Sequence, residues 1–167
     1  MIDISPDLAR VYLKPGEFHF ATSPTVVTTV LGSCVSVTMF DRFSGAASIC
    51  HALLPEGPSA DAFRYVDSSI IHMLEMFASH GVNRQRLEVK VFGGADMLCA
   101  NGSRVGVGRR NVEIANQVLA ASGLAVSMHD VGGTRGRKLF FVTHTGDVFL
   151  KRLNRGYGAG CSGREAL

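Results

Sequence analysis

The sequence predicts an α+β or α/β fold, a single-domain sandwich of mainly antiparallel sheet with two main helices outside. Three observations carry this. Strand-like stretches outnumber helical ones, and the two helical stretches are separated by strand segments, which is the pattern of layered sheet-and-helix folds. There are 19 glycines in 167 residues, above the average of about 7%, which points to many tight turns and argues against a helical bundle. Hydrophobic residues make up 46% of the chain and charged residues 19%, enough apolar side chain to bury a core and too little charge for a disordered chain. The expected organisation is one domain over residues 1–153 and a flexible, Gly-rich C-terminal tail over 154–167.

The elements follow in order. Arg10 to Lys14 has the composition of a strand, with Pro15-Gly16 as a turn; the rest of the chain up to Pro24 shows no clear pattern. Thr25 to Leu31 is rich in β-branched residues and is an extended segment. Val35 to Phe40 and Ala46 to Pro55 are two runs joined by Asp41-Arg42-Phe43-Ser44-Gly45, which is the pattern of a β-hairpin. Pro55 to Ala60 is a loop by composition. Val66, Ile70, Met73, Leu74 and Phe77 recur at three and four, one face of a helix that Gly81 ends. Leu87 to Phe92 alternates as a strand until Gly93-Gly94 breaks it. A second helix runs from Asn111 to Ser122, with Val112, Ala115, Val118 and Leu119 on one face and Gly123 as its stop. Leu124 to Val131 is a strand, and Lys138 to Thr143 with Val148 to Leu153 form a last hairpin around Thr145-Gly146-Asp147.

Several function classes are disfavoured. Net charge is +3 and the sequence pI near 8.8, mildly basic, with no aromatic-interleaved basic motif, so nucleic acid is not an expected partner. No apolar run approaches the roughly 18 residues of a membrane span, and the N-terminus lacks the pattern of a signal peptide. The expectation is a cytoplasmic protein with reduced thiols. The four cysteines, Cys34, Cys50, Cys99 and Cys161, form no C-x-x-C pair, so neither a zinc ribbon nor a redox motif is expected. Gly93-Gly94 and Gly132-Gly133 lack the companions of a phosphate loop, and no metal or cofactor is expected.

The hairpin suggests the chemistry. Cys34 lies just before its first arm and His51 late in the second, 17 residues apart, and a hairpin brings such positions together. A thiol beside an imidazole is a candidate nucleophile and base. The imidazole needs a third group to hold its ring, and Thr28, Thr29 and Ser33 are the nearby hydroxyls. Gly32 lets the backbone turn sharply, so that the N–H of Cys34 and a neighbour, in the Gly32-Ser33 turn, can form an oxyanion hole. The bland reading is that Cys34 simply packs, as free cysteines do. Cys50, next to His51, points to the other face of its strand and is core.

These residues carry a resemblance. Thr28 six residues before Cys34, the run Leu31-Gly32-Ser33-Cys34-Val35, and His51 four residues before Pro55 resemble the active-site signature of the CheD family, the chemoreceptor glutamine deamidases. Further matching blocks are Lys90 to Ala95, Gly108-Arg109 with Asn111, Asp130 with Gly132-Gly133, Gly136-Arg137-Lys138, and Thr145-Gly146 with Val148 and Lys151. The resemblance runs from about Pro15 to Leu153. It implies hydrolysis of selected glutamines on methyl-accepting chemotaxis receptors to glutamate with release of ammonia, through a thioester on cysteine. It implies a catalytic trio of Cys34, His51 and Thr28, a sandwich similar to the catalytic domains of deamidating toxins, and a CheC-type phosphatase as a further partner. Two rival readings remain: a binding module that regulates such a phosphatase with little catalysis, and a cysteine protease using the same thiol and imidazole.

A basic set, Arg104, Arg109, Arg110, Arg135, Arg137, Lys138, Lys151, Arg152 and Arg155, gathers in the second half. It reads either as a solvated face or as a docking surface for acidic partners. Asp130 has no role that residue chemistry assigns.

Overall fold

In the computed structural model, residues 4–96 and 106–154 are described. The C-terminal tail, Cys99, Cys161, Arg104 and Arg155 lie outside them. Among the described residues, nine strands form two sheets. The five-stranded sheet has the order β2-β5-β4-β6-β7, from β2 (Phe18–Ala21), β4 (Val35–Phe40), β5 (Ala47–Cys50), β6 (Glu88–Gly93) and β7 (Val126–Val131). The four-stranded sheet has the order β1-β3-β8-β9, from β1 (Ala9–Tyr12), β3 (Thr25–Leu31), β8 (Arg137–Val142) and β9 (Asp147–Arg152). Helices α1 (Val66–Ser79) and α2 (Val107–Ala121) lie against the five-stranded sheet.

The core explains the layering. Val35, Val37 and Met39 of β4, with Val89 and Val91 of β6, pack against Ile70, Met73 and Phe77 of α1 and Ile114, Ala115 and Leu119 of α2. On its other face the same sheet packs on the four-stranded one: Phe40, Ala47 and Ile49 meet Val27 and Phe141, and Phe92 meets Leu31 and Leu139. The five-stranded sheet is therefore the middle layer, and β4 is buried along its whole length. That is why the run Val35 to Phe40 holds only apolar and small hydroxyl side chains. The Ser36 hydroxyl is buried there with no hydrogen-bond partner among the described residues.

The elements agree with the sequence reading except at three places. Strand β2 pairs antiparallel with β5, where no clear pattern was visible; it is only four residues long and is hemmed by turns. Two ladders, β1 with β3 and β6 with β7, are parallel, while the others are antiparallel. Helix α2 begins at Val107, four residues earlier than its apolar pattern suggests, after Gly106 in the left-handed region (φ 99°). Its buried face runs through Gly108, Asn111, Ala115 and Leu119. A glycine and an asparagine are poor helix formers, and they hide the first turns of a helix whose buried stripe is partly polar.

Candidate active site

His51 follows β5 directly. Its backbone is held on both sides, the N–H donating to the Glu17 carbonyl (2.9 Å) and the carbonyl accepting from Gly16 (2.8 Å). Cys50, one residue earlier, belongs to the core under the helices, so His51 points the other way, toward the four-stranded sheet. There its Nδ1 lies 2.7 Å from the hydroxyl of Thr29, and both side chains are buried. The Thr29 hydroxyl also lies 2.8 Å from the carbonyl of Leu13.

This chain of contacts assigns the imidazole tautomer. The Leu13 carbonyl only accepts, so the single Thr29 proton goes to it. Thr29 then has only lone pairs for His51, so Nδ1 carries a proton and donates. Nε2 is left with a bare lone pair. It is buried and has no hydrogen-bond partner among the described residues. A buried lone pair without a donor is costly in a purely structural histidine and is what a general base needs.

Cys34 ends the turn that follows β3. Hydrogen bonds N–H to O join Val35 and Ala52 in both directions (3.0 and 2.9 Å), extending the β4–β5 hairpin to its open end. Val35 and Ala52 both face the helix-side core, so Cys34 and His51, each one residue away, both face the four-stranded sheet. Cys34 packs on the cluster of Leu31, Phe92 and Leu139. Thiol and imidazole thus share one face of the hairpin. No hydrogen bond joins them directly among the described residues.

The turn before Cys34 is held by its carbonyls. Gly32 O accepts from Ala95 N–H (2.9 Å) and Cys34 O from Gly94 N–H (2.8 Å), while Ser33 O accepts from Asn111 Nδ2 (2.9 Å). The N–H groups of Ser33 and Cys34 have no acceptor on another described residue. Amides whose carbonyls are tied behind them and whose N–H groups are open are suited to an oxyanion. Gly93 is required here: it has φ 105°, and a Cβ on it would stand 2.2 Å from the Cys34 carbonyl oxygen. Gly108 is required too, because a Cβ there would stand 2.5 Å from the Ala95 oxygen, pushing α2 off the same loop.

Burial governs the charge state. It pushes the Cys34 thiol up to about 11 against a smaller opposing effect of its own backbone N–H. It pushes His51 down to about 4, against the Leu13 carbonyl and the Glu17 charge, which both act upward. The resting pair at neutral pH is thiol and neutral imidazole, not an ion pair.

Of the residues expected at the site, Cys34 and His51 lie on one face of the hairpin, on either side of the Val35–Ala52 bridge, with Gly32 and Ser33 in the turn before Cys34. Thr28 is not placed on His51; the hydroxyl bonded to the imidazole is that of Thr29. Strand β3 alternates, so Thr28 faces the outer side of the four-stranded sheet, opposite Tyr12 and Phe140. Counting residues back from Cys34 measures distance along the chain, while the pleat decides which of two adjacent hydroxyls faces inward.

The basic set is also corrected. Arg137 is fully buried. It donates to the carbonyls of Gly93, Asp130 and Gly132 and lies 2.8 Å from the Asp130 carboxylate. This guanidinium ties β8 of one sheet to β6 and β7 of the other. Asp130 thereby has a structural role, which Arg152 shares at 2.6 Å.

The sequence reading missed Asn111 as a site residue. It is completely buried on α2, and the signal was available: an asparagine in register with Ala115 and Leu119 on the apolar face of a helix.

Comparison with known proteins places these features in context. Residues 53–152 match the family model described as CheD chemotactic sensory transduction. A protein of Geobacter sulfurreducens, "Probable chemoreceptor glutamine deamidase CheD 2", is 75% identical over 90% of this chain and 94% of its own. A "Probable chemoreceptor glutamine deamidase CheD" of Maridesulfovibrio salexigens is 43% identical over 89% of this chain and 95% of its own. Among solved structures, a Bacillus licheniformis hypothetical protein, YfiH, aligns over 68% of this chain and 49% of its own at 13% identity with a TM-score of 0.45, a likeness too low to carry any inference.

Proposed function

The chain belongs to the CheD family, and from that premise we propose that it hydrolyses the side-chain amide of glutamines on chemoreceptors, with Cys34 as nucleophile, His51 as base and Thr29 as the group that orients His51. The family supplies the reaction and the substrate. The observation that supports these residue roles is the bare, buried Nε2 of His51, on the hairpin face it shares with Cys34.

The chemistry follows from the resting charge state. Cys34 attacks the amide carbon as its thiol proton passes to Nε2, forming the C–S bond and an alkoxide that the N–H groups of Ser33 and Cys34 receive. His51 is now imidazolium and donates through Nδ1 to Thr29, whose own proton rests on Leu13. The C–N bond breaks, the nitrogen takes the Nε2 proton, and ammonia leaves behind a thioester. Water then gives a proton to Nε2 and its oxygen to the acyl carbon; the C–S bond breaks and glutamate is released with the thiol restored. Substrate covering the pair displaces water and makes proton transfer and attack concerted, so no standing thiolate is required.

Thr28, the third member implied by the family signature, competes with Thr29 for the orienting role, and paired substitutions decide between them. A CheC-type phosphatase as further partner, a cytoplasmic location and a likeness to deamidating toxins belong to the same proposal and rest on the family. No helix among the described residues is long and apolar enough to cross a membrane. The test is mass spectrometry of a receptor cytoplasmic fragment incubated with the protein. Amide-to-acid conversion at a discrete set of glutamines is the expected result. Cleavage of the fragment would instead show a protease, and an unchanged fragment that is still bound would show a binding module.

A further inference from the structure

Asn111 is completely buried in the first turns of α2, and its Nδ2 group makes two hydrogen bonds to carbonyls from opposite sides of the site. One goes to Ser33 (2.9 Å), the residue immediately before the nucleophile, and one to Leu53 (3.0 Å), two residues after the base. Both Nδ2 protons are used. Oδ1 is buried with no partner among the described residues. The amide orientation is fixed, because turning it over would set an oxygen against two carbonyl oxygens.

No strand ladder provides this link. The β4–β5 pairing stops at the Val35–Ala52 bridge, and beyond it the two chains diverge: Ser33 into the nucleophile turn, Leu53 toward Arg64, whose carbonyl accepts from Leu53 and Leu54. Cys34 and His51 sit on either side of that last bridge. Among the described residues, the turn bearing Cys34 is otherwise held by the glycine loop, through Gly94 and Ala95, and neither of those bonds reaches the His51 strand. Asn111 is the side chain that spans the two.

We infer that Asn111 is a positioning residue for the deamidation proposed above: by binding the Ser33 and Leu53 carbonyls with one amide, it fixes the distance between the thiol and Nε2 and turns the Cys34 N–H toward the reacting carbonyl. The inference rests on that reading for its reaction. Its geometry is independent of it. An amide plane donating to Ser33 O sets the plane of the Ser33–Cys34 peptide, and with it the direction of the Cys34 N–H. Misplacement by about 1 Å of groups that act together costs about a hundredfold in rate.

The decisive variant is Asn111→Asp, nearly isosteric, which presents oxygens to both carbonyls when ionised and one O–H donor when protonated. Deamidation of a receptor fragment by Asn111→Asp is expected to fall about a hundredfold in kcat at pH 8 with KM changed little, and to recover in part as pH is lowered toward 5.5. Wild-type activity has no such rise, since His51 stays neutral throughout that range. Alkylation at Cys34, read by mass of its peptide across pH, gives a second measure that needs no substrate. With the clamp broken the turn opens, and the thiol of Asn111→Ala should titrate below the wild-type value of about 11, toward the ordinary range near 8.5. A pH-independent activity loss that only tracks the unfolded fraction, or an unchanged Cys34 alkylation profile in a folded variant, overturns the inference. If Asn111→Asp does not fold, Asn111→Ser, which keeps one donor, is measured the same way. If wild type itself does not deamidate, the functional reading fails and the alkylation profile still judges Asn111.

Discussion

Thr28 and Thr29 are adjacent on β3 and chemically identical, yet the strand gives them opposite surroundings. Thr29 faces the middle layer, is buried, and joins Leu13 to His51. Thr28 faces outward in a row with Tyr12 and Phe140 on a side of the sheet where Tyr12, Val30 and Phe149 are exposed. The difference teaches that the pleat gives one of two neighbouring hydroxyls to the imidazole and the other to the outer side of the sheet. The hydroxyl bonded to His51 is set by the pleat and by the Leu13 carbonyl just past β1, not by proximity in sequence to the cysteine.

The comparison can be broken most severely at the inner face. Cys34→Ala removes the nucleophile, and single-turnover conversion of receptor glutamine should fall roughly 10⁴-fold or more, with binding of the fragment retained. His51→Ala should cost nearly as much, since it leaves a thiol held near 11 without its imidazole acceptor. Wild-type rates from Cys34→Ala would remove the enzymatic reading altogether.

The two threonines themselves give the next largest effect. Thr29→Val keeps the shape and removes the hydroxyl, so that His51 loses the acceptor fixing its tautomer; the expected loss is on the order of ten- to a thousandfold. Thr29→Ser should restore most of it. Thr28→Val should lie within about threefold of wild type, as surface-facing changes commonly do. Should Thr28→Val be the inactive one, the working enzyme would hold its base from the other threonine, and the assignment of faces on β3 would have to be reversed.

These residues also show what was legible beforehand. The shared face of Cys34 and His51 is legible because a hairpin has a simple metric: Gly45 in the turn and two apolar arms set which positions at the open end lie on one side. Helix α1 was readable from the spacing of Val66, Ile70, Met73 and Phe77. The orienting hydroxyl was not, because Thr28 and Thr29 differ only in which side of β3 they occupy, and that is set by pairing with β1 and β8 far away in sequence. Arg137 was read as part of a basic face because arginine is seldom buried; its burial depends on carbonyls of Gly93, Asp130 and Gly132 converging from another sheet. Asn111 stands in the Gly108-Arg109 block with no role that the sequence makes legible, since its two acceptors come from segments 58 and 78 residues away.

A subtler test of the inner face uses acid. His51 titrates near 6.5 when unfolded and near 4 when folded, chiefly because it is buried. Between those values the unfolded chain holds the extra proton, so acid favours unfolding. The stability that comes with a neutral His51 is complete above about 6.5 and is lost as pH falls toward 4. Urea midpoints of wild type should therefore drop over that window relative to His51→Gln, which has no such proton to take up. The same cause predicts that kcat/KM, which reports the free enzyme, stays level down to about pH 5 and has its acid limb near 4. An acid limb near 6.5 would mean that His51 is solvated in solution, and the closed inner face would be wrong.

The outer face should give the smallest effect, and one of a different kind. With Arg137 buried, Arg110 near Glu56 and Glu113, and Arg152 paired with Asp130, the members of the basic set on the strands of this sheet left without a carboxylate partner among the described residues are Lys138 and Lys151, which are paired across β8 and β9 in the row next to Val30, while Arg109 lies on α2 and Arg135 precedes β8. Lys138 lies over the Phe140 ring, 5.2 Å from its centroid, so its charge sits beside an apolar row without a carboxylate to neutralise it. Val30 precedes the turn to Cys34 by only a few residues, so a partner approaching the thiol from this edge passes the two lysines. Lys151 is exposed and Lys138 half-buried; charges at a surface guide encounter without entering the chemistry, and their reach is about 8 Å at physiological ionic strength. Raising salt from low to physiological levels should lower kcat/KM on a receptor fragment by about two- to fivefold and leave kcat alone. Lys138→Gln combined with Lys151→Gln should flatten that dependence while single-turnover rates at saturating fragment stay at the wild-type value. A salt-independent kcat/KM in wild type would make the two lysines a solvated surface and nothing more. A fall in the saturated rate of the double variant would carry the chemistry across to the outer face, where Thr28 lies.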